Sequence, residues 1–144
     1  MWRILLSLFF SILLAGCQSS AEAIPGSEPK AVTGQAASAI AGDMAARFAE
    51  LSGGAGKTVV MLDDGPAEIA TSLEAALKGW GFSVVSDQED PKAAKPMKLG
   101  WSVDEVDGHV LARLWTPSIA LGRTYRLTTA GAEPASPLSV LRRN

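Results

Sequence analysis

Four kinds of hydrophobic pattern succeed one another along the chain. Ile4 to Leu14 is an apolar run interrupted only by Ser7 and Ser11. From Ala36 the apolar positions Ile40, Met44, Phe48 and Leu51 recur at spacings of four, four and three, which places them on one face of a helix. The residues between them are mostly alanine, a strong helix former. Gly53, Gly54 and Gly56 end that helix, and Thr58 to Leu62 follows as a short β-branched and apolar run that reads as a buried strand. Asp63-Asp64-Gly65-Pro66 reads as a turn with a capping carboxylate and a proline near the first helical turn. A second helix is predicted with Ile69, Leu73, Leu77 and Trp80 on its apolar face, stopped at Gly79 or Gly81. Phe82 to Ser86 is the next strand. A polar loop, 87–97, carries Pro91 and Pro96.

Beyond that loop the period drops to two. Leu99, Trp101 and Val103 alternate; Asp107-Gly108 is a strong hairpin signal; Val110 to Trp115 returns. Pro117-Ser118 makes a second turn, and Ile119, Leu121, Arg123, Tyr125 and Leu127 alternate along a third strand. From Gly131 two prolines interrupt the pattern, so the tail is expected to be loosely ordered, with at most a short strand at Leu138 to Leu141. The order helix, strand, helix, strand, three-stranded meander predicts an α+β domain: two helices packed on a small, mainly antiparallel sheet. About ninety residues suffice for one modest core.

The first run takes its meaning from its flanks. Arg3 precedes it, and Leu14-Ala15-Gly16-Cys17 closes it. About a dozen apolar residues is the h-region length of a signal peptide; an isolated spanning helix needs about 20. Ala15 and Gly16 are small enough for a peptidase to approach the backbone, and the whole resembles the lipobox of bacterial lipoproteins. Cys17 is the chain's one cysteine, so no internal disulfide forms. Its expected fate is lipidation: diacylglycerol on the thiol and an acyl chain, such as palmitate, on the freed amine. Each buried CH₂ contributes roughly 0.8 kcal/mol, and stable anchoring takes two chains or more. Gln18, in place of the aspartate that tends to retain lipoproteins at the inner membrane, points to the periplasmic face of the outer membrane. The expected divisions are therefore a signal peptide at 1–16, a lipidated cysteine with a Ser-, Ala-, Gly- and Pro-rich tether at 17–35, the domain at 36–130 and the tail at 131–144.

Charge and candidate chemistry change this picture little. The formal charge of −2 becomes one unit more negative when Arg3 leaves with the leader, and an acid-leaning surface argues against nucleic acid as a direct partner. Gly53-Gly54-Ala55-Gly56-Lys57-Thr58 imitates the end of a phosphate loop. The pattern needs a further glycine where Leu51 stands, and here a helix precedes and a strand follows, the reverse of the required context. His109 is the one histidine and reads as a solvated turn residue. Asp104, Glu105 and Asp107 read as a polar strand end, since no calcium-loop spacing is present. Asp87, Glu89 and Asp90 read as solvated. Asp63-Asp64 could pair as acid and base, but capping explains them with fewer assumptions. Trp80, Trp101 and Trp115 are expected in the core or at its edge, with a partner-binding aromatic patch as the alternative. Arg123 and Arg126 fall on opposite strand faces. No nucleophile–base set, metal site or cofactor site emerges; an enzyme is not expected.

The arrangement resembles TrbH, a family of conjugal transfer lipoproteins. The likeness lies in Leu13-Leu14-Ala15-Gly16-Cys17, in Thr58-Val59-Val60-Met61-Leu62, and above all in the stretch from Pro66-Ala67-Glu68-Ile69-Ala70 through Leu77-Lys78-Gly79-Trp80-Gly81-Phe82-Ser83-Val84-Val85. Leu99-Gly100-Trp101-Ser102-Val103-Asp104 and Arg123-Thr124-Tyr125-Arg126 fit the family's strand-rich second half. The resemblance implies a structural component of a type IV secretion apparatus that transfers plasmid DNA. It would sit among protein subunits of the outer-membrane core complex, in a ring homo- or hetero-oligomer, with a domain like the ring modules of secretin N-termini. A periplasmic ligand-binding or envelope-maintenance lipoprotein unrelated to secretion is the alternative.

Overall fold

A computed structural model describes residues 32–56, 58–63, 68–85 and 95–144. The leader, Cys17 and most of the tether lie outside the described residues, as do Asp64 to Pro66 and the acids at 87, 89 and 90.

Two helices and seven strands make up the described domain. Helix α1 spans Gly34–Leu51 and helix α2 spans Glu68–Gly79. The strands are β1 Val59–Leu62, β2 Ser83–Val85, β3 Met97–Val106, β4 His109–Trp115, β5 Ile119–Thr128, β6 Gly131–Pro134 and β7 Ser139–Arg142. They form one open sheet in the order β2-β1-β3-β4-β5-β6, with β7 also pairing β5. The β2-β1-β3 portion is parallel and every other pairing is antiparallel. The fold is α+β with a mainly antiparallel sheet, as the pattern predicts.

Helix α1 buries a broad face. Ala37, Ala41, Ala45 and Ala49 recur every four residues beside Ile40, Met44 and Phe48, and the small alanines bring its backbone close to its neighbours. Ile40 and Met44, with Ile69 and Leu73 of α2, cover Trp101, Val103, Ala112 and Leu114 of the sheet. Phe48 meets Phe82 with ring centroids 5.5 Å apart. Each helix ends in a turn that satisfies the orphan carbonyls: Gly54 N–H donates to Ala49 O, and Phe82 N–H to Leu77 O.

The hairpins obey their local chemistry. Asp107 and Gly108 take φ of 51° and 74°, the left-handed pair that a two-residue hairpin turn requires. At the β4–β5 turn the organiser is Thr116 rather than Pro117-Ser118. Its buried hydroxyl accepts hydrogen bonds from the backbone N–H groups of Ser118 at 3.3 Å and Ile119 at 3.1 Å.

Two expectations change. Trp80 does not extend the apolar face of α2: the helix stops at Gly79, and the indole is 50% exposed. The tail is not loose. β6 and β7 lie end to end along the same edge of β5, which donates and accepts for both. Between them the register slips by two residues: Tyr125 faces Pro134, whereas Gly122 faces Ser139. Ser136 fills the interruption, its hydroxyl accepting from Thr124 N–H at 3.0 Å. Pro134 and Pro137 suit this place because the open edge of a strand asks nothing of their missing N–H groups.

Candidate functional site

Because side chains alternate along a strand, the meander presents two faces of opposite character. Leu99, Trp101, Val103, Val110, Ala112, Leu114, Leu121 and Tyr125 point to the helices and are buried. Gly100, Ser102, Asp104, Leu111, Arg113, Trp115, Ala120 and Gly122 point away from them.

The covered face contains one polar knot. Asp43 of α1 accepts a hydrogen bond from Tyr125 Oη at 2.7 Å and from Arg123 Nη1 at 2.9 Å, both through Oδ2. Arg123 also donates from Nε to Ser136 O at 2.9 Å, so it ties the β6–β7 interruption to the helix. Arg47 stands 3.6 Å from the other carboxylate oxygen and is itself held by Glu50 at 2.8 Å. Burial, and then the Asp43 carboxylate that accepts its proton, push the Tyr125 hydroxyl far above the ordinary phenol range. The Glu50 carboxylate bonded to it raises the Arg47 guanidinium, with a smaller contribution from Asp43. Chemically this is a clamp: one carboxylate on a helix joins two residues on the sheet. Sequence reasoning missed Asp43. The available signal was an acid in the middle of an alanine-rich helix, one position before Met44 on the apolar stripe.

On the open face, Trp115 lies across Gly100, its partner in the β3–β4 ladder. A Cβ at Gly100 would stand 2.4 Å from the indole Cε2, so only glycine admits the ring in this position. Arg113 passes over the buried Ser102 to donate to Asp104 at 3.0 Å, and Ser102 donates to the same carboxylate oxygen at 3.2 Å. The Arg113 Nε is buried without a partner among the described residues. Beside it, Leu111, Ala120, Gly122, Thr124 and Leu141 line a shallow trough of about 370 Å³. Its walls are apolar and its floor is made of small residues, which favours contact with another surface over chemistry on a small molecule.

The remaining sequence candidates fall apart in space. His109 is exposed on its hairpin, with Nδ1 3.2 Å from Asp107 O. Asp104 is held by Arg113, while Glu105 and Asp107 are solvated. Trp101 is buried and donates from Nε1 to Asp63 O at 3.1 Å; Trp115 is half-buried. Arg126 pairs with Glu133 across the strand, away from Arg123. Among the described residues there is no group of three or more His, Cys, Asp or Glu able to hold a metal ion. No described helix is long and apolar enough to cross a membrane.

Comparison with known proteins gives a consistent result. Residues 18–144 match the family described as Conjugal transfer protein TrbH. The chain is 50% identical, over 148 aligned residues and the whole of both chains, to a probable conjugal transfer protein TrbH of Sinorhizobium fredii. No solved structure matches.

Proposed function

This chain belongs to the TrbH family of conjugal transfer proteins, and from that premise we propose that it is a lipid-anchored structural component of a conjugative type IV secretion apparatus, held at the periplasmic face of the outer membrane. The observation that carries this reading is a coincidence of boundaries. The family match starts at Gln18, the residue immediately after the lipobox cysteine, one residue past the Gly16–Cys17 bond that a lipoprotein signal peptidase would cut. In this reading Cys17 carries the lipid, the residues after it form the tether, and the domain supplies binding surface rather than a catalytic step. Its partners are other subunits of the transfer apparatus, in a ring of like or unlike modules, and it takes no cofactor and no direct nucleic-acid contact.

Changing Cys17 to Ser tests the anchor. Metabolic labelling with a palmitate analogue should mark the native protein and leave the variant unmarked, and the variant should remain as a precursor with residues 1–16 attached. Conjugation frequency should fall with it. Equal labelling of the two proteins would overturn the assignment, and so would a native protein whose position 17 is unmodified by mass spectrometry.

A further inference from the structure

The strands run between two ends of unlike charge. One end holds the β3–β4 and β5–β6 turns and the start of both helices. Glu105 and Asp107 lie there, with Glu68 on the first turn of α2, while Asp104 and Glu133 are neutralised by Arg113 and Arg126. The opposite end holds the starts of β1, β3 and β5, the β4–β5 turn and the finish of β7. Lys95 and Lys98 lie at the start of β3, and Arg142 and Arg143 at the finish of β7. All four are exposed. No ion pair or side-chain hydrogen bond engages any of them among the described residues. The other exposed cations among the described residues are treated differently: Lys78 is bonded to Glu74 and Arg126 to Glu133. Two large apolar groups stand at the same end, Trp80 at 50% exposure beyond α2 and Leu141 at 56% exposure beside Arg142.

We infer that this basic end of the domain is a docking surface for a membrane rich in anionic lipid headgroups. The chemistry matches on both counts. Unpaired lysines and arginines give up no ion pair within the protein on meeting a phosphate layer and gain attraction near a negative surface. A half-exposed indole and an aliphatic side chain are the groups that settle at the headgroup boundary. β2, which follows Trp80, and β7 are the two outer strands of this end, separated by five strand spacings of about 4.8 Å each, so the surface is about 24 Å wide.

Geometry permits the same membrane to hold the lipid. The inference rests on the anchoring reading only for this distance argument. The tether enters at Val32, beside the start of α1 and hence at the acidic end. The fifteen steps from Cys17 to Val32 reach up to about 50 Å, and the ten residues of β3 span about 33 Å. The domain can therefore lie with its basic end down while its N-terminus stays anchored. Acids at the far end then face away from the negative surface, which orients the molecule.

Lysine footprinting of the processed, lipid-bearing protein tests this. The protein is placed in vesicles of phosphatidylcholine alone or of phosphatidylcholine with phosphatidylglycerol, and acetylation of Lys95 and Lys98 is followed by mass spectrometry. Labelling is expected to be about tenfold slower on the anionic vesicles, with loss of the difference near 1 M salt, where screening acts within about 3 Å. The variant Arg142→Glu/Arg143→Glu should remove nearly all of that tenfold protection, and Lys98→Glu should weaken protection of Lys95 without touching β7. Equal labelling on both vesicle types in the native protein overturns the inference. Slowing that needs no vesicle and grows with protein concentration also overturns it, in favour of a second copy whose acidic end meets the basic one. Flotation with phosphatidylcholine alone reports the anchor separately: if flotation fails while the anionic footprint persists, the lipid reading falls and this one stands.

Discussion

The helix-covered and open faces of the sheet are made by alternate residues of the same three strands, yet they are stabilised differently. The covered face buries a continuous apolar layer and admits one polar knot, Asp43 with Arg123 and Tyr125, at its margin. The open face keeps small residues at its centre, lays Trp115 over Gly100, and satisfies its charges in the plane of the sheet through Asp104 and Arg113. The first face defines the fold and the second leaves a surface that other molecules can touch. Mutations on the two should therefore differ in kind as well as in size.

Leu73→Asp, on the covered face, is expected to have the largest effect. Leu73 is 3% exposed between α2 and the sheet, and an unpaired carboxylate there should cost about 4 kcal/mol or more, enough to abolish cooperative unfolding in a domain of this size. Urea denaturation followed by circular dichroism would reveal it; a soluble variant with a normal transition would show that the helix phase assigned to α2 is wrong.

Gly100→Ala probes the open face. The new methyl must displace the Trp115 ring, which lies on the solvent side and can swing out, so the loss should be about 1–3 kcal/mol with the fold retained. A red-shifted tryptophan emission would report the displaced indole. A loss as large as that of Leu73→Asp would erase the distinction between the two faces.

Comparable and smaller effects are expected from the knot at the margin of the covered face. Asp43→Ala leaves Arg123 and Tyr125 without their shared acceptor and should cost about 1–3 kcal/mol. Tyr125→Phe should cost about 1 kcal/mol and has a pH signature. Because the folded state raises the hydroxyl above its unfolded value of about 10, the native state holds that proton more tightly. Its contribution is full below that pH and is lost as pH climbs above it. The native protein should thus lose stability on the alkaline side more steeply than the Phe variant; parallel profiles would show that the hydroxyl is not held as described.

Much of this was legible in the chain. Ile40, Met44 and Phe48 announced α1 because a helix repeats its face every three to four residues, and Leu99-Trp101-Val103 with Asp107-Gly108 announced the hairpin because both signals are local. Trp80 was misplaced because apolar spacing continues past the point where Gly79 and Gly81 end the helix. The short strand expected at Leu138 to Leu141 is β7, one residue displaced, but β6 went unread because four residues ending in a proline carry too short a period to register; both are held by the edge that β5 offers.

The sequence by itself determined most of the elements, the hairpin register at Asp107-Gly108, and the resemblance to TrbH that the comparisons bear out. Only the tertiary structure decided that Asp43 meets Arg123 and Tyr125 across some eighty residues, that Trp115 rests on Gly100, and that four unpaired cations share one end of the sheet. The division has a physical reason. Local periodicity is fixed by backbone geometry within a few residues, whereas the neighbours of a side chain from another element depend on how the elements pack, which is decided by the burial of the whole core at once.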